Sequence, residues 1–330
     1  MRMNMKLQQL RFFNAICQHQ LNVTAAARAL FTSQPGVSRQ MRLFEDELGL
    51  SLFARAGKTL ISLTPAGEEI LIRSQKVLKE IDNIKAISQD LTKVTKGVLN
   101  IATTHTQAKY VLPPIIKSFH ARFPDVKVNL HQSTSLKNVK STLSRETDFT
   151  IATGDTDNSK GLVKLDCFKW QRLIVVPKNH PLANVKTISL KQLAQYPLVV
   201  YMYDDQDNSS LVQTFINAGV DYKIVFTAKD SDIIKTYVRS ELGVGIIASM
   251  AYDKDIDNDL VAIKTNNILP LCSTWVAFHP SLFLRQFMKE FISLFAPHVS
   301  KEQIDEAVNR ENEKLDPQKI TLPIHAMWHI

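Results

Sequence analysis

A chain of 330 residues, 45% hydrophobic and 22% charged, exceeds one typical domain and has enough apolar material for a sizeable core, which excludes an intrinsically disordered chain. Its net charge is +8, and residues 1–60 carry eight Lys/Arg against three Asp/Glu, the acids clustered at Glu45, Asp46 and Glu47. A compact basic module of this kind points to an acidic polymer as partner, while three scattered cysteines, Cys17, Cys167 and Cys272, exclude a disulfide framework and a CxxC metal site.

The first pattern along the chain is helical, with Leu7, Leu10, Phe13 and Ile16–Cys17 on one face at spacings of three and four. A short alanine-rich helix, Thr24–Leu30, follows under a cap from Asn22 or Thr24, and Phe31 and Thr32 make the break. Ser33 reads as the next N-cap, with Pro35 in the first turn where its missing N–H costs nothing. The third helix carries Val37, Met41, Phe44 and Leu48 on its apolar face and stops at Gly49. Three short helices with a tight break between the second and third form a helix-turn-helix. The apolar runs Leu52–Phe53 and Leu60–Leu63 flank Arg55-Ala-Gly-Lys58, a hairpin tip with two cations that reads as a wing.

Thr64-Pro65 opens a long helix expected to continue to Lys96, with Gly97 as its stop. In it Ile70, Val77, Ile84 and Leu91 recur every seven residues, with Ile81 and Ile87 widening the stripe, which predicts pairing with a second copy. From Val98 strands and helices alternate, which predicts two α/β lobes with mainly parallel sheets and ligand sites outside the carboxyl ends of the strands. The expected organisation is a winged helix-turn-helix over 1–64, a linker or dimerisation helix over 65–96, and a two-lobe domain over 97–300. Lobe I takes about 97–166 and 268–300, lobe II about 167–267, and a polar, peripheral tail covers 301–330. With neither a signal-type apolar run nor about 20 consecutive apolar residues, the expectation is a cytoplasmic protein that makes no use of a membrane.

The motifs Ala26–Leu30, Ser33-Gln34-Pro35-Gly36-Val37-Ser38-Arg39-Gln40, Leu43-Phe44-Glu45, Glu47-Leu48-Gly49, Leu52-Phe53-Ala54-Arg55 and Leu63-Thr64-Pro65-Ala66-Gly67 resemble the N-terminal signature of LysR-type transcription regulators. Further segments resemble the CysB-type branch of that family, among them Ile101-Ala-Thr-Thr-His-Thr-Gln107, Ile233-Ile-Lys-Thr-Tyr-Val-Arg239 and Gly243-Val-Gly-Ile-Ile-Ala-Ser-Met250. The resemblance implies an all-α winged helix-turn-helix, a linker helix and a periplasmic-binding-protein-like α/β effector domain of two lobes. It also implies control of sulfate assimilation and cysteine biosynthesis genes by a homodimer or homotetramer bound to double-stranded promoter DNA. RNA polymerase stands as a further partner, and no cofactor is implied.

For DNA, the first turn of a recognition helix faces base edges, which places Ser33, Gln34, Pro35, Ser38 and Arg39 at the reading end. Gln34 suits adenine and Arg39 guanine, Ser38 or Thr32 a phosphate, and Arg42, Arg55 and Lys58 the backbone. For the effector, Thr103, Thr104, Thr106 and Gln107 follow a strand and open a helix, where free N–H groups and neutral donors form a socket for an oxyanion. By residues alone this pattern also suits simple helix capping. The resemblance assigns Thr104, Thr106, Gln107, Thr153 and Trp170 to a sulfate-binding cleft, and replaces a further threonine of that cleft with Gln206 inside Asp204-Asp-Gln-Asp-Asn208. The effector class is a small anion such as sulfate, thiosulfate, O-acetylserine or N-acetylserine.

Weaker signals read as structure. Gly243-Val-Gly follows a helix and runs into a strand, the reverse of a dinucleotide fingerprint. Asp253, Asp255, Asp257 and Asp259 lack the turn glycine and terminal glutamate of a calcium loop and read as a solvated loop. His325 and His329 are too few for a metal. Within the regulator class the alternative is a LysR-type regulator of a different metabolic pathway. The competing class, a stand-alone binding protein or enzyme, would need an export signal or a catalytic constellation, and the chain has no GxSxG, HExxH or Walker loop.

Overall fold

Helix α1 (Leu7–Gln18) forms on its apolar spacing and buries Leu10, Phe13 and Ile16. Helix α2 (Val23–Ala29) starts at Asn22, whose side chain accepts from the Ala25 N–H at 2.9 Å. Helix α3 (Gln34–Leu48) starts at Ser33, whose hydroxyl accepts from the Gly36 N–H, and ends at Gly49 in the left-handed region at φ 67°. Val37, Met41 and Phe44 complete the small core, where the Phe13 ring meets Phe44 and Phe53 edge-on. The structure, a computed structural model, describes residues 5–57, 59–93, 95–154, 159–203 and 209–309, and the chain divides into two units, Met1–Thr92 and Lys93–Ile330.

The first unit continues with β1 (Phe53–Ala56) and β2 (Thr59–Leu63), an antiparallel wing. Thr64 caps helix α4 (Pro65–Leu91) through the Gly67 N–H at 2.9 Å. Gly67 is required by close approach, because a Cβ there would lie 2.1 Å from the Leu52 carbonyl oxygen. Ile70, Leu71 and Leu78 pack on the winged core, whereas Val77, Ile84, Ile87 and Leu91 are exposed. The helix stops short of the expected Lys96. Thr92 turns its hydroxyl onto the Ser88 and Gln89 carbonyls and Lys93 takes a φ of 55°, so Gly97 opens a strand instead of ending a helix.

The second unit holds two five-stranded sheets. The first comprises β3 (Gly97–Thr103), β4 (Val126–Gln132), β5 (Phe149–Thr153), β6 (Val163–Trp170) and, from far along the chain, β12 (Cys272–Phe278). Helices α5 (Leu112–Arg122), α6 (Ser135–Leu143), α10 (Gln286–Phe295) and α11 (Lys301–Asn309) belong to this lobe. The second sheet comprises β7 (Arg172–Pro177), β8 (Leu198–Tyr201), β9 (Ile224–Ala228), β10 (Val244–Ala248) and β11 (Leu260–Lys264). Its helices are α7 (Leu190–Leu193), α8 (Ser210–Asn217) and α9 (Ser231–Arg239).

Three expectations need correction. The sheets are mixed: β3 runs parallel to β4 and β5, but β12 is antiparallel to β5 and β6, as β7 is to β10 and β11. The strand β6 carries the chain out of lobe I through Gln171 and β12 brings it back, so these two neighbours run in opposite directions, as do β7 entering lobe II and β11 leaving it. The expected boundary at 166/167 therefore falls inside β6, and the crossing lies at Gln171. The segment after residue 300 is also not wholly peripheral, since α11 buries Ile304 in the lobe I core; His325 and His329 lie outside the described residues. Gly243 is structural, as expected: a Cβ would sit 2.3 Å from the Pro197 carbonyl oxygen at the entry to β10. Among the described residues no helix is long and apolar enough to cross a membrane.

Candidate functional site

At the end of α3 expected to read DNA, Thr32, Ser33, Gln34, Pro35, Arg39 and Arg42 are exposed and Ser38 is half-buried. Gln34 Nε2 donates to Ser38 Oγ at 3.1 Å, a local bond that holds both polar groups on the first turn of α3. Arg55 is engaged already. Its guanidinium pairs with Glu45 at 2.6 Å, and the same carboxylate accepts the Leu52 and Phe53 N–H groups. Glu45 thus ties the wing to the recognition helix, and Arg55 is first a strut of that joint. Lys58 lies outside the described residues. Phe31, read from sequence only as a break, is 98% exposed and holds a φ of 51°, a costly conformation for an aromatic residue, directly beside Thr32.

The residues expected to line the effector cleft gather where β3, β5 and β6 end. Beyond β3 the chain enters a helix whose first turns are π-type over Gln107–Val111. Pro113 and Pro114 supply no N–H to the carbonyls one turn back, and the Leu112 N–H reaches the Gln107 carbonyl instead. This widened turn buries Gln107 and Thr106 while leaving Thr104 half-buried. Gln107 Nε2 donates to Thr274 Oγ1 at 3.1 Å, Trp170 Nε1 donates to the same oxygen at 3.0 Å, and Thr153 Oγ1 lies 3.3 Å from it. Three of the expected residues are therefore brought together by a fourth, Thr274, that the sequence did not indicate. Gln107 Oε1 is buried with no partner among the described residues, an acceptor open to a donor group. Thr106 bonds the hydroxyl of Tyr201, at the carboxyl end of β8 in the other lobe. Gln206 lies outside the described residues.

The two lobes meet beside this group. Tyr110 Oη donates to Asp232 Oδ1 at 2.7 Å, Lys109 pairs with the same carboxylate, and His105 Nε2 lies 2.9 Å from Asp230 Oδ2. Burial alone would raise the Asp232 carboxyl, but hydrogen bonds from Lys109 and Tyr110 and the charge of Lys235 outweigh it and hold the group at about 2. His105, Asp230 and Asp232 have the spacing of metal ligands, yet Asp232 is saturated by cations and a phenol, so the cluster reads as a polar latch. Behind it, the acidic loop is less solvated than its composition suggested. Asp257 is fully buried, paired with Lys235 at 2.8 Å and Arg239 at 2.9 Å, because α9 aims both cations at it.

The chain matches two family models. Residues 7–68 match the bacterial regulatory helix-turn-helix protein, lysR family, and residues 92–300 match the LysR substrate binding domain. It is 43% identical over 303 residues to the HTH-type transcriptional regulator CysB of Haemophilus influenzae, covering 92% of this chain and 94% of the relative. It is 37% identical over 300 residues to the HTH-type transcriptional regulator SsuR of Burkholderia cenocepacia, covering 91% and 97%. Among solved structures it is similar to the cofactor-binding domain of the Cbl transcriptional regulator, with a TM-score of 0.62 and 33% identity over 65% of this chain and 94% of that one.

Proposed function

We infer the function from one premise: the chain belongs to the LysR family of bacterial helix-turn-helix regulators, with CysB-like relatives. It is a DNA-binding transcription regulator with a two-lobe effector domain. Its proposed targets are the sulfate assimilation and cysteine biosynthesis genes that the CysB-like resemblance implies, and it works in the cytoplasm, where those genes are read. The role is regulatory and not enzymatic.

The observation that carries the sensing role is the convergence of neutral donors at the strand ends. Thr104 and Thr106 flank the helix start, and Gln107, Thr153 and Trp170 meet at one hydroxyl. Neutral hydroxyl and amide donors, with the partial positive charge of a helix start, hold an oxyanion without the tight trap of a fixed cation. We assign to this cleft a small oxyanion or acetylated amino acid, sulfate, thiosulfate, O-acetylserine or N-acetylserine, with Gln206 as a tuning position. On the DNA side Gln34 and Arg39 read adenine and guanine, Thr32, Ser33 and Ser38 fix the register with Pro35 shaping the turn, and Arg42, Arg55 and Lys58 follow the backbone. Phe31 adds an apolar contact to the duplex beside Thr32. The exposed stripe of α4 pairs with a second copy to build a dimer or tetramer, which presents the DNA-reading ends and engages RNA polymerase.

A thermal-shift screen of the full chain against the four compounds tests the sensing role. Stabilisation by at least one of them, absent with chloride at equal ionic strength, is the expected result. A flat response to all four would contradict the ligand class.

A further inference from the structure

We propose that Thr274 is the positioning residue of the sensing cleft: its hydroxyl sets the direction in which Thr153 donates and locks Gln107 and Trp170 into one arrangement. This rests on reading the cleft as the effector site. The argument is an inventory of donors and acceptors. A threonine hydroxyl has one proton to give and two lone pairs to receive. An indole N–H only donates, so Trp170 fills one lone pair of Thr274 Oγ1 at 3.0 Å. The Gln107 amide donates to the other at 3.1 Å. The Thr274 proton then has one oxygen left to point at, that of Thr153 at 3.3 Å. Thr153 accepts that bond, and its own proton turns away from Thr274 and becomes available to a ligand. The second N–H of Gln107 is likewise not needed by the knot. One buried hydroxyl therefore presents two neutral donors with a defined direction, the polarity an oxyanion requires.

Its place in the fold makes Thr274 more than a packing residue. Trp170 is the last residue of β6, at the first crossing between lobes, and Thr274 stands two residues into β12, after the second crossing. The two strands pair there, Cys272 beside Trp170, and Thr153 ends the central strand β5 on the other side, directly opposite Thr274. Gln107 begins the helix that reaches the latch on Asp232 through Lys109 and Tyr110. The knot thus joins both inter-lobe strands to the helix that meets the opposite lobe. Thr274 is fully buried, so it touches the effector only through Thr153 and Gln107.

The test is calorimetry of the full chain with sulfate and with N-acetylserine, on wild type, Thr274→Val, Thr274→Ser, Thr153→Val and the double Thr153→Val/Thr274→Val variant. Thr274→Val keeps the shape and removes the hydroxyl, and should weaken binding tenfold or more, while Thr274→Ser should stay within about twofold of wild type. Because Thr274 acts through Thr153, the double variant should bind no more weakly than the worse single one, whereas independent roles would multiply the two losses. Should Thr274→Val unfold, Thr274→Cys puts a poor acceptor where serine keeps the hydroxyl, the methyl being absent from both, and a loss there with rescue by serine carries the same result. Wild-type affinity in a folded Thr274→Val or Thr274→Cys, or multiplying losses, would overturn the proposal alone. A wild-type protein that binds neither probe would remove the cleft reading and the proposal with it.

Discussion

On α3, Gln34, Pro35, Arg39 and Arg42 stand in solvent, and Gln34 bonds only one turn away to Ser38. In the cleft, Gln107 and Trp170 are buried and meet at an oxygen 167 and 104 residues further along the chain. The same residue types, amide, hydroxyl and planar nitrogen, are used in opposite ways. The exposed row is complete only against an outside surface, so each member should act nearly alone. The buried group is complete against itself but for a few open positions, so its members should act together.

The exposed side of that contrast extends down α4, where Val77, Ile84 and Leu91 are exposed on the chain. If that stripe pairs with a second copy, the pair Val77→Glu and Ile84→Glu should abolish the assembly. Light scattering should then report the mass of a single chain, with the circular dichroism of the sensor unit unchanged. An unaltered oligomer would separate α4 from the interface.

On the buried side, Thr104→Ala should weaken the effector roughly tenfold to a hundredfold, the loss of one charge-assisted hydrogen bond of about 1.5–3 kcal/mol. Effector-free DNA binding should not move. On the exposed side, Arg39→Ala should cost about 1–3 kcal/mol on a cognate duplex and much less on a random one, the mark of a base contact. Lys58→Ala should weaken both duplexes alike. Equal losses for Arg39→Ala on the two duplexes would move it from reading to positioning.

The smallest effect belongs to the latch. Asp232 is held at about 2, below its ordinary 3.8, by Lys109, Tyr110 and Lys235 against the opposing effect of burial. A carboxyl depressed in the folded state stabilises it fully above its unfolded value and loses that contribution as pH falls through the folded one. Wild type should therefore melt above Asp232→Asn at pH 6, and the gap should close between pH 4 and 2. A gap constant across that range would show that the carboxylate charge contributes nothing.

How much of this was legible follows the same division. The winged module could be read because its signals are local: Ser33 caps three residues ahead, Gly49 stops its own helix, and Thr64 caps the next. Thr104, Thr106 and Gln107 showed in the sequence as a helix start rich in neutral donors, and Thr153 and Trp170 came through the resemblance. The residue joining them stayed hidden, since nothing near Thr274 in sequence announces that β12 returns beside β5 and β6. Strand β6 was also missed. Its alternation Val163, Leu165, Cys167 breaks at Phe168, where the pairing with β12 shifts register, and no helix separates it from β7. Asp257 looked solvated because its cations sit on α9, about 20 residues earlier.

An anisotropy titration of the full chain joins both sides of the comparison in one experiment. The ligand is a labelled duplex that the protein itself selects from a random pool. It is titrated across a range of salt, with and without saturating sulfate or N-acetylserine. The selected duplex should bind well above random DNA, weaken steeply with salt, and shift in affinity when the effector is added, and Thr104→Ala should need roughly tenfold to a hundredfold more effector for the same shift. A duplex held no better than random DNA, or held identically with and without either anion, would contradict the coupling of a DNA-reading helix to an anion-sensing cleft.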